Sequence, residues 1–257
     1  MNVFKISERL QQAAALITKG NVVADIGTDH AYLPIHIVKS GISQKVIAMD
    51  VRKGPLEKAR QNVREYGVSD NVSIRLSDGL WALCPMEAET ITLCGMGGRL
   101  IQSILENGRD RYNGHTQLIL SPQSELSEFR KYLYSFGYSV SKEVMLKEDG
   151  QFYFIFCCYR DEKTDSENFL GCEDDVYKET VFRYGMELLK EKNECLREYL
   201  DRERNLTESV YSKVKELSVR NNVVSKEADG KKEVLKSRIC ELEFDMKCIE
   251  RAMEFYR

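Results

Sequence analysis

The chain is poor in the features that mark several broad classes of protein. Among its 257 residues are four prolines and three histidines, and its net charge is only −3. The longest apolar stretch near the N-terminus, residues 13–17, is too short for a signal-peptide core and far too short to span a bilayer. A cytoplasmic protein with no membrane partner is therefore expected. The eight cysteines (Cys84, Cys94, Cys157, Cys158, Cys172, Cys195, Cys240 and Cys248) include no CxxC pair and no zinc-like spacing, so most are expected to be reduced and buried. The small negative charge excludes a broadly basic, nucleic-acid-coating protein but leaves room for a local basic patch. What remains, 42% hydrophobic and 31% charged residues, is enough for one full core plus a second unit.

Up to about residue 160, strand-like and helix-like runs alternate, the pattern of a mostly parallel sheet covered on both faces. Strands are predicted at 21–26, 45–50, 71–76, 89–94, 116–121, 138–146 and 151–159, with helices at 31–39, 54–66, 98–107 and 126–136. Only KEDG (147–150) separates the last two strands, which predicts an antiparallel hairpin. Five parallel strands followed by a hairpin match the strand count and ending of a class I S-adenosylmethionine-dependent methyltransferase: an α/β, Rossmann-like fold with a seven-stranded sheet.

Beyond residue 159 the chain has no proline and loses strand-like alternation. Residues 161–171 read as a polar linker between a methyltransferase domain (1–160) and a helical hairpin (172–257). Leu235, Ile239, Leu242, Met246, Ile249, Met253 and Tyr256 are spaced as a heptad seam. A looser stripe over 176–217 runs through Val181, Tyr184, Leu188, Cys195, Tyr199, Leu206, Val210 and Leu217. An antiparallel coiled coil is the simplest way to bury both stripes; the alternative is a homodimer interface, so monomer and homodimer both stay open. Residues 213–238 carry eight basic against four acidic side chains, whereas 161–212 carry eight against fifteen. The charge is thus polarised along the hairpin, either as an ordinary solvated surface or as a tip (Lys231, Lys232, Lys236) that meets phosphates.

The segment VVADIGTDHAYLPI (22–35) joins the first strand to the first crossover helix, where doubly wound sheets bind ligands. A dinucleotide fingerprint needs G-x-G-x-x-G, but here only Gly27 is present and Asp29 stands where a second glycine would be. An acidic residue suits the sulfonium and ammonium groups of S-adenosyl-L-methionine better than a pyrophosphate. A plain strand-to-helix turn would also explain the loop. Asp50 ends the second strand 25 positions after Asp25, placed for ribose hydroxyls, and Asp78 follows the third strand, placed for the adenine amino group. Three carboxylates at the ends of three successive strands form a constellation that single loop aspartates do not. Asp29 and His30 are adjacent, and adjacent residues rarely face one cation together, so no metal is expected.

After the fourth strand comes LCGMGGRLI (93–101), whose glycines open the backbone to a flat ring or simply make a tight turn. DIGTDHAYLP, DVRKGPLEKARQN (50–62), SDGL, CGMGG, SPQSE (121–125) and EDGQFY (148–153), in this order and followed by a helical hairpin, closely resemble the bacterial TrmK family. Its members are class I methyltransferases acting on N1 of adenine 22 in tRNA. The resemblance covers essentially the whole chain and implies S-adenosyl-L-methionine as cofactor, S-adenosyl-L-homocysteine as product and tRNA as partner. Gln151 departs from the lysine expected in relatives. The cofactor-binding candidates are Asp25, Gly27, Thr28, Asp29, His30, Ala31, Tyr32 and Leu33, then Asp50 and Val51, then Asp78 and Gly79, then Cys94, Gly95 and Met96. Asp29, Gly95 and Gln123 are the candidates for the transfer step. The competing functions are a small-molecule methyltransferase of the same fold and a non-catalytic coiled-coil interaction protein.

Overall fold

The computed structural model describes residues 6–160, 174–221 and 229–257, with the side chains of residues 220, 221 and 229–232 outside the description. The chain divides into two compact units, Met1–Glu167 and Asn168–Arg257. The expected linker, 161–171, lies outside the described residues.

In the first unit the strands are β1 (Val23–Ile26), β2 (Val46–Asp50), β3 (Val72–Leu76), β4 (Thr90–Met96), β5 (Gln117–Pro122), β6 (Tyr138–Glu148) and β7 (Gln151–Arg160). They form one sheet in the order β3-β2-β1-β4-β5-β7-β6. β1 to β5 are parallel, and β7 inserts antiparallel between β5 and β6. Every residue of β1, β2 and β5 is buried, as expected for strands covered on both faces. The β6–β7 turn places Asp149 and Gly150 both at positive φ, the two-residue turn whose twist matches a hairpin.

The crossovers are α2 (Tyr32–Lys39), α3 (Lys53–Glu65), α4 (Gly98–Asn107) and α5 (Leu126–Ser135), preceded by α1 (Glu8–Ala15), which the sequence pattern had not separated from its surroundings. α3 buries Leu56, Ala59, Asn62 and Val63 on one face. Buried Asn62 is satisfied because its amide donates to the His30 carbonyl at 2.9 Å. Arg130 on α5 is also buried, paired with Glu143 of β6 and lying over the rings of Phe154 and Phe156. A lone arginine in a helix reads as surface; here a carboxylate and two ring faces take it into the core.

In the second unit the segment 176–217, which carries the looser stripe, is not one continuous helix. Three helices occupy that stretch: α6 (Asp175–Tyr184), α7 (Met186–Lys190) and α8 (Glu194–Asn221). Gly185 ends α6 at φ +81 and Lys192 follows α7 at φ +50; Asn193 then caps α8, its side chain accepting from the Leu196 amide at 3.0 Å. α9 (Asp229–Glu254) returns antiparallel, since Asn193, Arg204 and Tyr211 meet Tyr256, Met253 and Glu243 respectively. On α9 the expected heptad seam is buried at Leu242 and Ile249 and partly covered elsewhere.

On α8 the register differs from the expected stripe. Leu196 and Leu200 are buried and Thr207, Tyr211, Val214 and Ser218 are partly covered, whereas Leu206, Val210 and Leu217 are exposed. Apolar residues on two faces of one helix left the sequence ambiguous, and the packing resolved it. The cysteine expectation also changes. Cys157, Cys158 and Cys248 are buried, but Cys94 and Cys195 are only half-buried and Cys84 and Cys240 are exposed; all seven described cysteines are free. Cys84 lies in a loop and Cys240 on the outer side of α9, beyond either core.

Candidate active site

The carboxyl ends of β1, β2, β3 and β4 surround two adjoining cavities, at the point where strand order reverses between β1 and β4. One, of about 290 Å³, is lined by Asp50, Val51, Ser77, Asp78, Gly79, Met96, Leu100 and Ile104 among others. The second, of about 480 Å³, is lined by Asp25, Gly27, Asp29, Tyr32, Leu33, Cys94, Gly95 and Gln123, together with Ile6, Ser7, Arg9 and Leu10 from the chain around the start of α1. They share Gly27, Arg52, Cys94 and Gly95.

The walls are fixed from behind. After β1 the amides of Gly27 and Thr28 both donate to the Met49 carbonyl, at 2.8 and 2.9 Å. Gly27 sits at φ +75, a left-handed conformation that strains any residue with a Cβ, and the Met96 methyl lies close to where that Cβ would be. His30 and Ala31 are both at φ +60, an uncommon conformation for residues with a Cβ, and Asn62 holds that turn through the His30 carbonyl. At Gly95, φ +84, the β4–β5 register shifts by a bulge, which turns the backbone of Cys94 and Gly95 toward the cavity.

The acidic residues differ in environment. Asp25 is buried and pairs across β1–β4 with Thr92, whose hydroxyl donates to it at 2.6 Å. Burial raises its pKa above the usual carboxylate range and the Thr92 hydrogen bond opposes that rise; the Thr28 hydroxyl beside it also favours the charged form, without a hydrogen bond of ordinary geometry. Asp50, also buried, accepts from the Arg52 amide at 2.8 Å. Asp29 is exposed and stands 3.6 Å from the His30 ring. Burial pushes the Cys94 thiol up to about 12, with Asp25 adding to the rise and Arg9 opposing it, so this sulfur stays protonated at neutral pH.

The expected residues are therefore largely brought together. Thr28, His30 and Ala31 line neither cavity: Thr28 and Ala31 are buried behind the loop, and His30 contributes its backbone carbonyl to Asn62. Ser77, Leu100 and Ile104 in the smaller cavity, and Ser7, Arg9 and Leu10 in the larger, were not expected. Ser7 followed by Glu8 ahead of an amphipathic run is a helix-start signal that would have pointed to α1. Among the described residues no cluster of three or more His, Cys, Asp or Glu side chains is placed to hold a metal, and no helix is long and apolar enough to cross a membrane.

A methyltransferase-domain family model matches residues 6–156. The tRNA (adenine(22)-N(1))-methyltransferase of Bacillus subtilis is 35% identical over 241 residues, covering 93% of this chain and 99% of that one. The chain belongs to this methyltransferase family. The crystal structure of the B. subtilis M1A22 tRNA methyltransferase TrmK superimposes with a TM-score of 0.79 at 32% identity, covering 97% of this chain and 99% of that one. A Streptococcus pneumoniae protein described as a candidate tRNA (m1A22) methyltransferase, solved in complex with S-adenosyl-L-methionine, gives a TM-score of 0.74 at 28% identity over 97% of this chain and 100% of that one.

The residues of this family member fit the cofactor. The smaller cavity offers a buried carboxylate for a diol and the apolar faces of Val51, Met96, Leu100 and Ile104 for a purine. The larger one offers the carboxylates of Asp25 and Asp29 to cationic groups.

Proposed function

We propose that the chain transfers a methyl group from S-adenosyl-L-methionine to N1 of adenine 22 in tRNA. The observation that carries this reading is that the similarity to tRNA (adenine(22)-N(1))-methyltransferases runs through both the sheet unit and the helical unit. A small-molecule enzyme of the same fold would not need the second unit.

The cofactor, when bound, supplies a methyl already activated by its sulfonium. The protein's part is proximity and orientation, because adenine N1 is a neutral nitrogen with an available lone pair. Asp50 holds the ribose and Asp78 faces the adenine amino group of the cofactor. Gln123, whose amide lies 3.8 Å from where a Gly95 side chain would begin, reads the edge of the target base. Methylation leaves a cationic ring, which Asp29 and the bulged backbone at Cys94 and Gly95 stabilise. N1 is on the Watson–Crick edge, so the base is exposed before reaction, with Tyr32 as a stacking face. The basic residues of the hairpin meet tRNA phosphates. Its residues Lys231 and Lys232 have side chains outside the described set. A tRNA substrate implies a cytoplasmic protein, and closure of the α8–α9 seam within one chain supports a monomer.

Incubation with labelled cofactor and total bacterial tRNA, followed by nucleoside analysis, tests the reading. Label is expected in 1-methyladenosine; label confined to another nucleoside, or absent from RNA, sinks it. Unchanged single-turnover rates in Asp29→Ala would remove that residue from the transfer step.

A further inference from the structure

Trp81, the one tryptophan of the chain, is 70% exposed. Its backbone is nevertheless firmly held. Leu80 and Leu83 on either side are buried, and Leu80 packs against Gly108 at the end of α4. The Ser77 hydroxyl donates to the Gly79 carbonyl at 2.8 Å and accepts from the Ala82 amide at 3.0 Å, while the Ala82 carbonyl accepts from Arg75 at 2.9 Å. The Trp81 amide donates to the Asp78 carbonyl at 3.3 Å. The turn is thus tied before and after a residue whose indole is left to solvent. Asp78 and Gly79 line the smaller cavity, so the indole is borne two residues from its wall. Two more exposed apolar side chains, Val51 and Leu100, line that cavity, and two exposed cations accompany them, Arg52 in the wall and Arg99 next to Leu100 on α4. Each cation has an acidic neighbour: Arg52 lies 3.6 Å from Asp50 and Arg99 lies 2.7 Å from Glu125. Single exposed apolar residues need no explanation, but a ring and aliphatic faces interleaved with arginines around one mouth suit bases and their phosphates.

We infer that Trp81 is a stacking platform for a tRNA nucleobase other than the adenine that reacts. The reacting adenine belongs at the larger cavity with Tyr32 and Gln123, neither of which lines the smaller one, whereas Trp81 is tied to the smaller one. Every base has a π-face, so this contact seats the substrate without reading its sequence. The purine of the cofactor is the other flat ring within chemical reach. The tRNA base is favoured because that purine already has walls in Val51, Met96, Leu100 and Ile104, and Trp81 is not among the residues lining its cavity. The inference rests on the tRNA reading above and gives the substrate a foothold on the sheet unit.

Because no other tryptophan is present, indole fluorescence reports this residue alone. A tRNA transcript with adenine at position 22 is expected to quench it and to shield it from acrylamide. Trp81→Ala should weaken binding of that transcript about five- to a hundredfold, the usual effect of losing one stacked base, while S-adenosylhomocysteine affinity and melting temperature stay as in wild type. Trp81→Phe should recover part of the loss. In both variants the salt slope of tRNA binding should match wild type, because stacking releases no counterions. Weakened S-adenosylhomocysteine binding with tRNA affinity intact would overturn the inference and make Trp81 a cover for the cofactor's purine. A transcript that neither quenches nor shields the indole, or that binds Trp81→Ala as tightly as wild type, would also overturn it. A wild-type chain that leaves tRNA unmethylated in the nucleoside assay above would remove the tRNA reading and this inference with it, whereas failure at Trp81 alone leaves that reading intact.

Discussion

The sheet unit and the helical unit hide their apolar residues in opposite ways. β1, β2 and β5 are buried along their whole length, so their sides have no freedom to carry function, and the chemistry is displaced to the loops at their ends. In the hairpin each long helix meets its neighbours along one stripe and leaves most of its surface open, with Leu206, Val210 and Leu217 among the exposed residues. The first arrangement makes a rigid frame for a small ligand. The second leaves long helical faces open, a surface suited to a large partner.

The contrast can be broken most forcefully inside the helical unit. Leu200→Ala should destabilise the chain by about 2–5 kcal/mol, whereas Leu206→Ala, six positions along the same helix, should stay within about 0.5 kcal/mol in thermal or denaturant unfolding. Similar effects at both positions would mean that the seam runs elsewhere. Next in size is the frame's own grip on its ligand. Asp50→Ala should lose about 1.5–3 kcal/mol in S-adenosylhomocysteine affinity with the fold intact, as read by calorimetry.

A smaller effect is expected at the tip. Neutralising Lys231, Lys232 and Lys236 together should weaken tRNA binding and flatten its dependence on salt by roughly 0.7–0.9 in log–log slope for each phosphate no longer neutralised, with cofactor affinity unchanged. An unaltered slope would move the tRNA footprint to the sheet unit. There Arg52, Lys53 and Arg99 are exposed, but Arg130, which a sequence reading would add to them, is buried against Glu143.

The mildest change is on the acid side. Glu87 receives both Arg75 guanidinium nitrogens, at 2.6 and 2.7 Å, and that pairing holds its carboxyl at about 2, below its ordinary 4.5. A depressed folded-state pKa stabilises fully above 4.5, and the contribution fades as pH falls toward 2. Glu87→Gln should therefore cost stability at neutral pH and show a shallower decline in that window when melting is followed against pH.

The same contrast governs what could be read in advance. Each strand lies within two residues of its expected span, and for the central strands the reason is that a strand buried on both faces leaves an unbroken apolar run bounded by turns. The carboxylates at strand ends were legible for the same reason, since topology alone puts Asp25, Asp50 and Asp78 at one edge. The seam of α8 was not, because helical spacing admits several apolar faces and only the partner helix selects one. Arg9 was missed on different grounds: it belongs to the site through its pairing with Glu148, 139 positions later, and no local pattern announces that.

The tie between Asn62 and His30 has a consequence for the order in which the molecule is made. The loop after β1 emerges early in synthesis, but the amide that holds its two left-handed residues belongs to α3, and β4, which closes the cleft beside it, ends at Met96. A nascent chain that ends before Met96 has the loop without its facing wall, and one that ends before Asn62 lacks the brace as well. The central strand thus acquires neighbours on both sides only once residue 96 has been made, well before the helical unit that follows.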